Sequence, residues 1–265
     1  MFYKEIKNKK SFLSSGFAGE DNPSCGKNKF WGLDSERLFK ENLKIQPSDW
    51  YYRTHDVTYT VNSLGYRAPE FDQVDWKNSV VMFGCSTVFG DGVDDADTIP
   101  SQLSKIIGKP VINMGSGGSS IPWSLHNSLI LREFYPTPLA VVHIWTDPSR
   151  TLLYSTVPKR LGTWSGHPDN NFFKVWNKEG NSDTYAYFNQ LAAKHIWNDA
   201  CIFHDLSWSP EIPEITGCSE FPPESRTPDT PAYLMARDLC HQSPIPLLAV
   251  AKDISISSKK KGLHF

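Results

Sequence analysis

The 265-residue chain contains no run of about 18 apolar residues, the least that would cross a bilayer as a helix. The charges of its opening "MFYKEIKNKKSF" have no apolar segment behind them. The expectation is a chain made without a secretory signal, soluble, cytoplasmic when synthesised and without a membrane partner. Cysteine is scarce and scattered. Cys25, Cys85, Cys201, Cys218 and Cys240 form no Cys-x-x-Cys pair, which points away from a zinc ribbon and from a disulfide framework. His55, His126, His143, His167 and His195 lack ligand spacing among themselves, so no metal is expected. An excess of positive charge is missing too. Lys and Arg number 27 against 29 Asp and Glu, a net charge of -2, and the basic clusters "KEIKNKK" and "KKKGLHF" stand at the chain ends, where such runs are ordinarily solvated tails. Nucleic acid is therefore not an expected partner. Nor is "GDG" at Gly90 to Gly92 a phosphate loop, for the Lys and Ser/Thr that follow in such motifs are absent, and no organic cofactor is implied.

Aromatic residues are plentiful by contrast, with nine Trp; packing is their commoner use and sugar-binding platforms the other. Residues 1–76 read as an aromatic-rich N-terminal extension packed on the core, in which "VTYTV" alternates like a strand and "NSLGYR" is the turn after it. Over 77–265 the pattern becomes strand alternating with helix. "SVVMFG", "PVINMG" and "PLAVVHIW" are buried-strand runs. "IPSQLSKIIG" predicts a helix with Leu103, Ile106 and Ile107 on one face and Gly108 as its stop, and "SSIPWSLHNSLILREFY" one with Ile121, Leu125 and Leu129 at intervals of four. The rhythm breaks at about 151–183, an expected insertion or lid, and resumes with helix "TYAYFNQLAAKHIWND" and strand "ACIFH". A long Pro-rich loop at about 206–232 then leads to a closing helix begun by Ser243 and Pro244. Strands separated by helices of this length predict an α/β fold, a parallel sheet with helices on both faces.

In such a sheet the ligand crevice lies beyond the carboxyl ends of the strands, where turns and helix starts converge. The strand ends carry "GCST", "NMGSGGS" and "TDPSR", and "RDLCH" stands near the start of the last helix. A serine, a glycine-rich backbone, small polar donors and a histidine next to an acid are the parts needed for acyl transfer. A serine hydroxyl becomes a nucleophile at neutral pH only when a base takes its proton, the task of a neutral imidazole. Asp238 precedes His241 by three residues, so on one helical turn its carboxylate can reach the ring and fix the tautomer. Cys85 is a second candidate nucleophile, since a thiolate at a helix start is activated, but Gly84 sets a register that favours Ser86. His204 and Asp205 read as a strand-end pair, and Asp147 as the cap of the "TDP" turn.

The blocks "FGCSTVFGDG", "NMGSGGSS" and "ARDLCHQSP", with "IWTDPSR" in the place of a third block, resemble those of the SGNH (GDSL) hydrolase family. The resemblance spans about Asn78 to Ile256, and "YTVNSLGYRAPEF" is similar to the segment before the serine in some members, phage-encoded ones included. It implies a three-layer α/β/α sandwich with a mostly parallel, flavodoxin-like sheet, and an esterase without a cofactor. Carried onto this chain, Ser86 is the nucleophile, His241 the general base, Asp238 its orienter and Gly118 a backbone oxyanion donor. Gly84, Asn113 and Gly115 shape the site. Two positions depart from the pattern: Cys85 replaces the usual Asp of the serine block, and Thr146 stands where an Asn amide normally meets the oxyanion. A threonine hydroxyl can donate but reaches less far.

The expected substrate is a small-molecule or polysaccharide ester, an O-acetyl group on a carbohydrate first, motivated by the Trp- and Tyr-rich insertion and by the family. A lipid ester or thioester is the alternative within the enzyme class. A non-catalytic structural or binding protein, such as a virion component, is the rival class, motivated by Thr146 and the aromatic N-terminal region; homo-oligomer and virion partners stay open.

Overall fold

A computed structural model of the chain describes residues 12–13, 25–156, 159–164, 171–176, 180–207, 219–220 and 232–260, with the side chains of 153–156, 159–164, 171–173, 219–220 and 232 left out. The N-terminal part pairs β1 (Gly26–Asn28) with β2 (Tyr59–Val61) antiparallel, with helix α1 (Glu36–Ile45) between them in sequence. Then follow β3 (Val80–Gly84), α2 (Ser86–Phe89), α3 (Ile99–Ile107), β4 (Val111–Gly115), α4 (Ile121–Phe134) and β5 (Ala140–Trp145). An antiparallel hairpin of β6 (Thr151–Thr156) and β7 (Lys159–Trp164) precedes α5 (Asn171–Trp176), α6 (Asn181–Trp197), β8 (Ile202–Ser207), β9 (Ser219–Glu220) and α7 (Pro244–Lys260).

Five strands form one parallel sheet in the order β4-β3-β5-β8-β9. By order along the chain this is 2-1-3-4-5, the flavodoxin-like doubly wound arrangement. Period-two alternation builds its layers. Val80, Met82, Ala140, Val142 and Ile144 meet Leu103 and Ile107 of α3 and Leu247, Val250 and Ile254 of α7. Val81, Phe83, Val141, Ile112 and Met114 face the other way, onto Ile130 and Leu131 of α4, Trp197 of α6, and Phe12, Tyr66, Phe71 and Trp76. β3 is covered on both faces, so all five of its residues are buried and its run is apolar.

Helix starts follow the local chemistry. The Thr98 hydroxyl accepts from the Ser101 N–H and the Ser120 hydroxyl from the Trp123 N–H, each just before a Pro-containing first turn. The expected faces are corrected in part. In α3 the buried stripe is Ile99, Leu103 and Ile107, and Ile106, about 60° around the helix from Leu103 at the middle of that stripe, is exposed. In α4 Leu129 is exposed, because the inward stripe includes polar residues: the Asn127 side chain accepts from the Leu13 N–H (2.8 Å) and donates to the Tyr66 hydroxyl (2.8 Å), and Ser128 accepts from Trp197 Nε1 (2.6 Å). A second correction concerns the expected loop at 206–232, within which Ser219–Glu220 adds a fifth parallel strand beside β8. Two residues are too few for a periodic signal.

Trp31, Trp50, Trp76, Trp123, Trp145 and Trp197 are buried and serve packing. Cys218, His167, both terminal basic runs apart from Lys259 and Lys260, and most of the Pro-rich loop lie outside the described residues. Among the described residues no helix is long and apolar enough to cross a membrane.

Candidate active site

The chain runs from β3 outward to β4 and returns across to β5, so the switch point of the sheet lies between the carboxyl ends of β3 and β5. Cys85 and Ser86 leave β3 there, and Thr146 leaves β5. Ser86 opens α2, whose four residues end at Gly90 in the left-handed conformation; the N–H groups of Gly90 (2.7 Å) and Asp91 (3.2 Å) both donate to the Ser86 carbonyl. Ser86 is 8% exposed, with Oγ 4.0 Å from Cys85 Sγ.

The short helix lies hard against the strands. A Cβ at Gly84 would stand 2.4 Å from Val88 Cγ2, and one at Gly115 would stand 2.3 Å from the Phe89 backbone nitrogen, so neither position admits a side chain without displacing α2. Asn113 reaches the same helix from β4: its Nδ2 donates to the carbonyls of Val88 (3.0 Å) and Phe89 (3.3 Å) while its Oδ1 accepts from the Gly115 N–H (2.9 Å). Gly84, Asn113 and Gly115 thus hold the turn that presents Ser86. Gly118 lies exposed on the turn after β4 at φ +68°, where Ser116 N–H (3.1 Å) and Ser119 Oγ (3.0 Å) anchor the loop to the Gly84 carbonyl.

His241 and Asp238 meet directly, Nδ1 to Oδ2 at 2.5 Å, and both side chains are buried. A helical turn is not what brings them together. Residues 236–241 form a tight turn closed by the Met235–Gln242 bridge and by the Ala236 N–H on the His241 carbonyl (2.8 Å), with Leu239 at φ +55°. Asp238 Oδ1 accepts from the N–H groups of Cys240 (2.9 Å) and His241 (3.0 Å), the local capping for which an Asp side chain competes with helix. The helix α7 begins only at Pro244. The turn is tied to the serine side, because the Arg237 N–H donates to the Gly92 carbonyl at 3.0 Å.

Thr146 is buried, and its hydroxyl accepts from Arg150 Nη1 at 3.1 Å. Burial pushes the Cys85 thiol up, but the Arg150 guanidinium, the Thr146 hydroxyl, the Thr87 amide and His241 outweigh it, and the thiol lies below its ordinary range. Asp147 caps its own turn, accepting from the Ser149 N–H at 2.8 Å. His204 and Asp205 are buried within β8, and Asp205 accepts from Trp145 Nε1 at 3.0 Å, a packing role. His143 stacks between Phe83 and Trp145, and burial brings its imidazole down to about 3, so it stays neutral.

Two residues near the site escaped the sequence reading. Asp91 is buried with Oδ2 3.9 Å from His241 Nε2, and Arg150 reaches the Thr146 hydroxyl. A signal for the first exists in hindsight: a helix as short as α2, ended by Gly90, turns the next residue back toward its own start.

No family model matches the chain, and no curated protein does either. Similar solved structures include AlinE4, an esterase of the SGNH-hydrolase family, at 14% identity and TM-score 0.40 over 72% of this chain and all of that one. A serine-to-alanine mutant of AlinE4 stands at 13% and 0.40 over 73% of this chain and all of that one. A protein named as a GDSL-like lipase from Bacteroides ovatus stands at 11% and 0.38, over 73% of this chain and 56% of that one.

Proposed function

We propose that the protein is a serine ester hydrolase of the SGNH type, working through a Ser86 acyl-enzyme. The observation that carries this reading is the buried 2.5 Å contact of Asp238 with His241 Nδ1, which leaves Nε2 facing the segment that follows Ser86 at the sheet's switch point. In the first half-reaction Ser86 Oγ attacks the ester carbonyl carbon and its proton passes to His241 Nε2. Asp238 holds the Nδ1–H and stabilises the imidazolium. The oxyanion takes backbone N–H groups of Ser86 and Gly118 and the Thr146 hydroxyl. His241 then protonates the leaving alcohol, and water deacylates the serine by the same route in reverse.

The substrate class is a small acyl group on a carbohydrate, an O-acetyl first. The near-complete burial of Ser86 favours a short acyl chain, and the sugar part rests on the Trp- and Tyr-rich insertion, whose side chains are largely outside the described residues. The test is hydrolysis of 4-nitrophenyl acetate by the protein beside Ser86→Ala and Cys85→Ala, with fluorophosphonate labelling of each. Loss of turnover and label in Ser86→Ala alone supports the reading; loss in Cys85→Ala alone moves the nucleophile to the thiol. A protein that neither turns over nor labels is a binding protein on this fold. Rates on acetylated polysaccharide against medium-chain esters then separate sugar from lipid, and a preference for long acyl chains ends the sugar assignment.

A further inference from the structure

Asp91 is a buried carboxylate whose hydrogen bonding is incomplete. It is 3% exposed, its Oδ1 has no hydrogen-bond partner among the described residues, and its Oδ2 lies 3.9 Å from His241 Nε2. A carboxylate taken from water and left short of donors is costly, and such a group calls for an explanation. The surrounding charges do not neutralise it. Arg67 is engaged with Asp95 and with the carbonyls of Thr58, Gly90 and Val93, and Arg237 is engaged with Asp34. Asp238 and Asp34 add negative charge nearby. Burial accordingly pushes the Asp91 carboxyl up to about 7, with His241 and Arg67 pulling the other way. Among the described residues the His241 imidazole, cationic when protonated, lies within ion-pair distance of Asp91.

The backbone holds the acid there. Gly92, at φ +78°, donates its N–H to the Tyr59 hydroxyl (2.7 Å), and a Cβ on it would meet Ala236 Cβ at 2.7 Å and Asp238 Oδ1 at 3.1 Å. Only a glycine lets the strand-end loop pass this close to the turn that bears His241. The ring therefore sits between two carboxylates, Asp238 at Nδ1 and Asp91 at Nε2.

We propose that Asp91 is a second carboxylate of the His241 base, a positioning residue whose charge acts on Nε2 from 3.9 Å and so sets the pH at which the ring can take the Ser86 proton. The inference rests on the esterase reading above. One proton is at stake. With Asp91 ionised, the ring is favoured in its protonated form, and the lone pair Ser86 needs is occupied. Once that proton is lost to water, Nε2 can accept from Ser86 Oγ–H. An anion beside the ring thus places the acidic limb of the rate profile at higher pH than a neutral side chain would.

The test compares kcat/KM for 4-nitrophenyl acetate across about pH 5 to 9 in the wild type and Asp91→Asn. In parallel, the His241 ring is titrated by NMR in Ser86→Ala with and without Asp91→Asn. The expected result is that the acidic limb moves down by about one pH unit in Asp91→Asn and the ring titration moves with it. A limb and a titration that stay in place overturn the proposal, and a structural role alone moves neither. If the wild type turns over no ester and takes no fluorophosphonate, the esterase reading fails, while the ring titration still decides whether Asp91 and His241 are electrostatically coupled. Asp91→Ser serves as the second variant if Asp91→Asn does not fold.

Discussion

Arg237 and Asp34, 203 residues apart in sequence, form a buried pair in which Nε donates to both carboxylate oxygens (3.0 and 3.1 Å) and Nη2 to Oδ2 (2.6 Å). The guanidinium also donates to the Lys29 carbonyl and lies over the rings of Phe30 and Phe39, and the Tyr59 hydroxyl donates to Asp34 at 2.5 Å. Because Arg237 immediately precedes Asp238, the pair ties the segment around β1 and β2 to the turn that carries the acid and base.

Removing the cation from this pair leaves a buried carboxylate with the Tyr59 hydroxyl but no counter-charge. Arg237→Met is expected to lower stability by about 3–5 kcal/mol in urea denaturation, the usual result of breaking a buried pair from one side. Asp95→Asn, which breaks the Arg67 pair where Asp95 is 33% exposed, is expected to cost less, about 1 kcal/mol or under. Equal losses in the two variants would show that burial is not what distinguishes the pairs.

The raised carboxyl of Asp91 makes a prediction about stability against pH. Its value is about 7 in the folded protein against 3.8 for the free group, so between those values the folded state holds a proton that the unfolded chain has lost. Stability from this group therefore falls as pH rises through that window, by an order of about 4 kcal/mol in all. Asp91→Asn is expected to raise the melting temperature at pH 8 and to leave it nearly unchanged near pH 4. A lower melting temperature at pH 8 would mean that the ionised acid is a net stabiliser.

Glycines around the serine turn separate by mechanism. Gly115→Ala sets a Cβ 2.3 Å from the Phe89 backbone nitrogen, so α2 must move, and fluorophosphonate labelling of Ser86 is expected to be lost even where the protein folds. Gly118→Ala meets no atom within 4 Å but holds φ at +68°, and is expected to cost about 1–2 kcal/mol of stability. Retained labelling in Gly115→Ala would show that the turn can relax without misdirecting the serine.

Thr146→Val keeps the shape of the β5 end and deletes the hydroxyl that accepts from Arg150. If that hydroxyl meets the oxyanion, kcat on 4-nitrophenyl acetate falls by as much as about 10²-fold with KM little changed. An unchanged kcat would leave the oxyanion to the backbone N–H groups alone.

Much of this architecture is written in local pattern. Apolar runs such as "VVMFG" bounded by glycine specify buried strands, Pro and Ser or Thr specify helix starts, and their alternation specifies a parallel sheet. Ser86 was legible for the same reason, since it directly follows a buried strand. The pairing of Asp238 with His241 was legible from their spacing, though a capped turn and not a helix makes the contact. Asp91 beside His241 and Asp34 beside Arg237 were not legible, because their positions depend on which distant segments close over one another. Sequence neighbours limit what a residue can reach. Only the folding of the β1–β2 segment and the 236–241 turn onto the switch point decided which carboxylates lose water and face the imidazole, and for Asp91 it is that desolvation that raises the carboxyl.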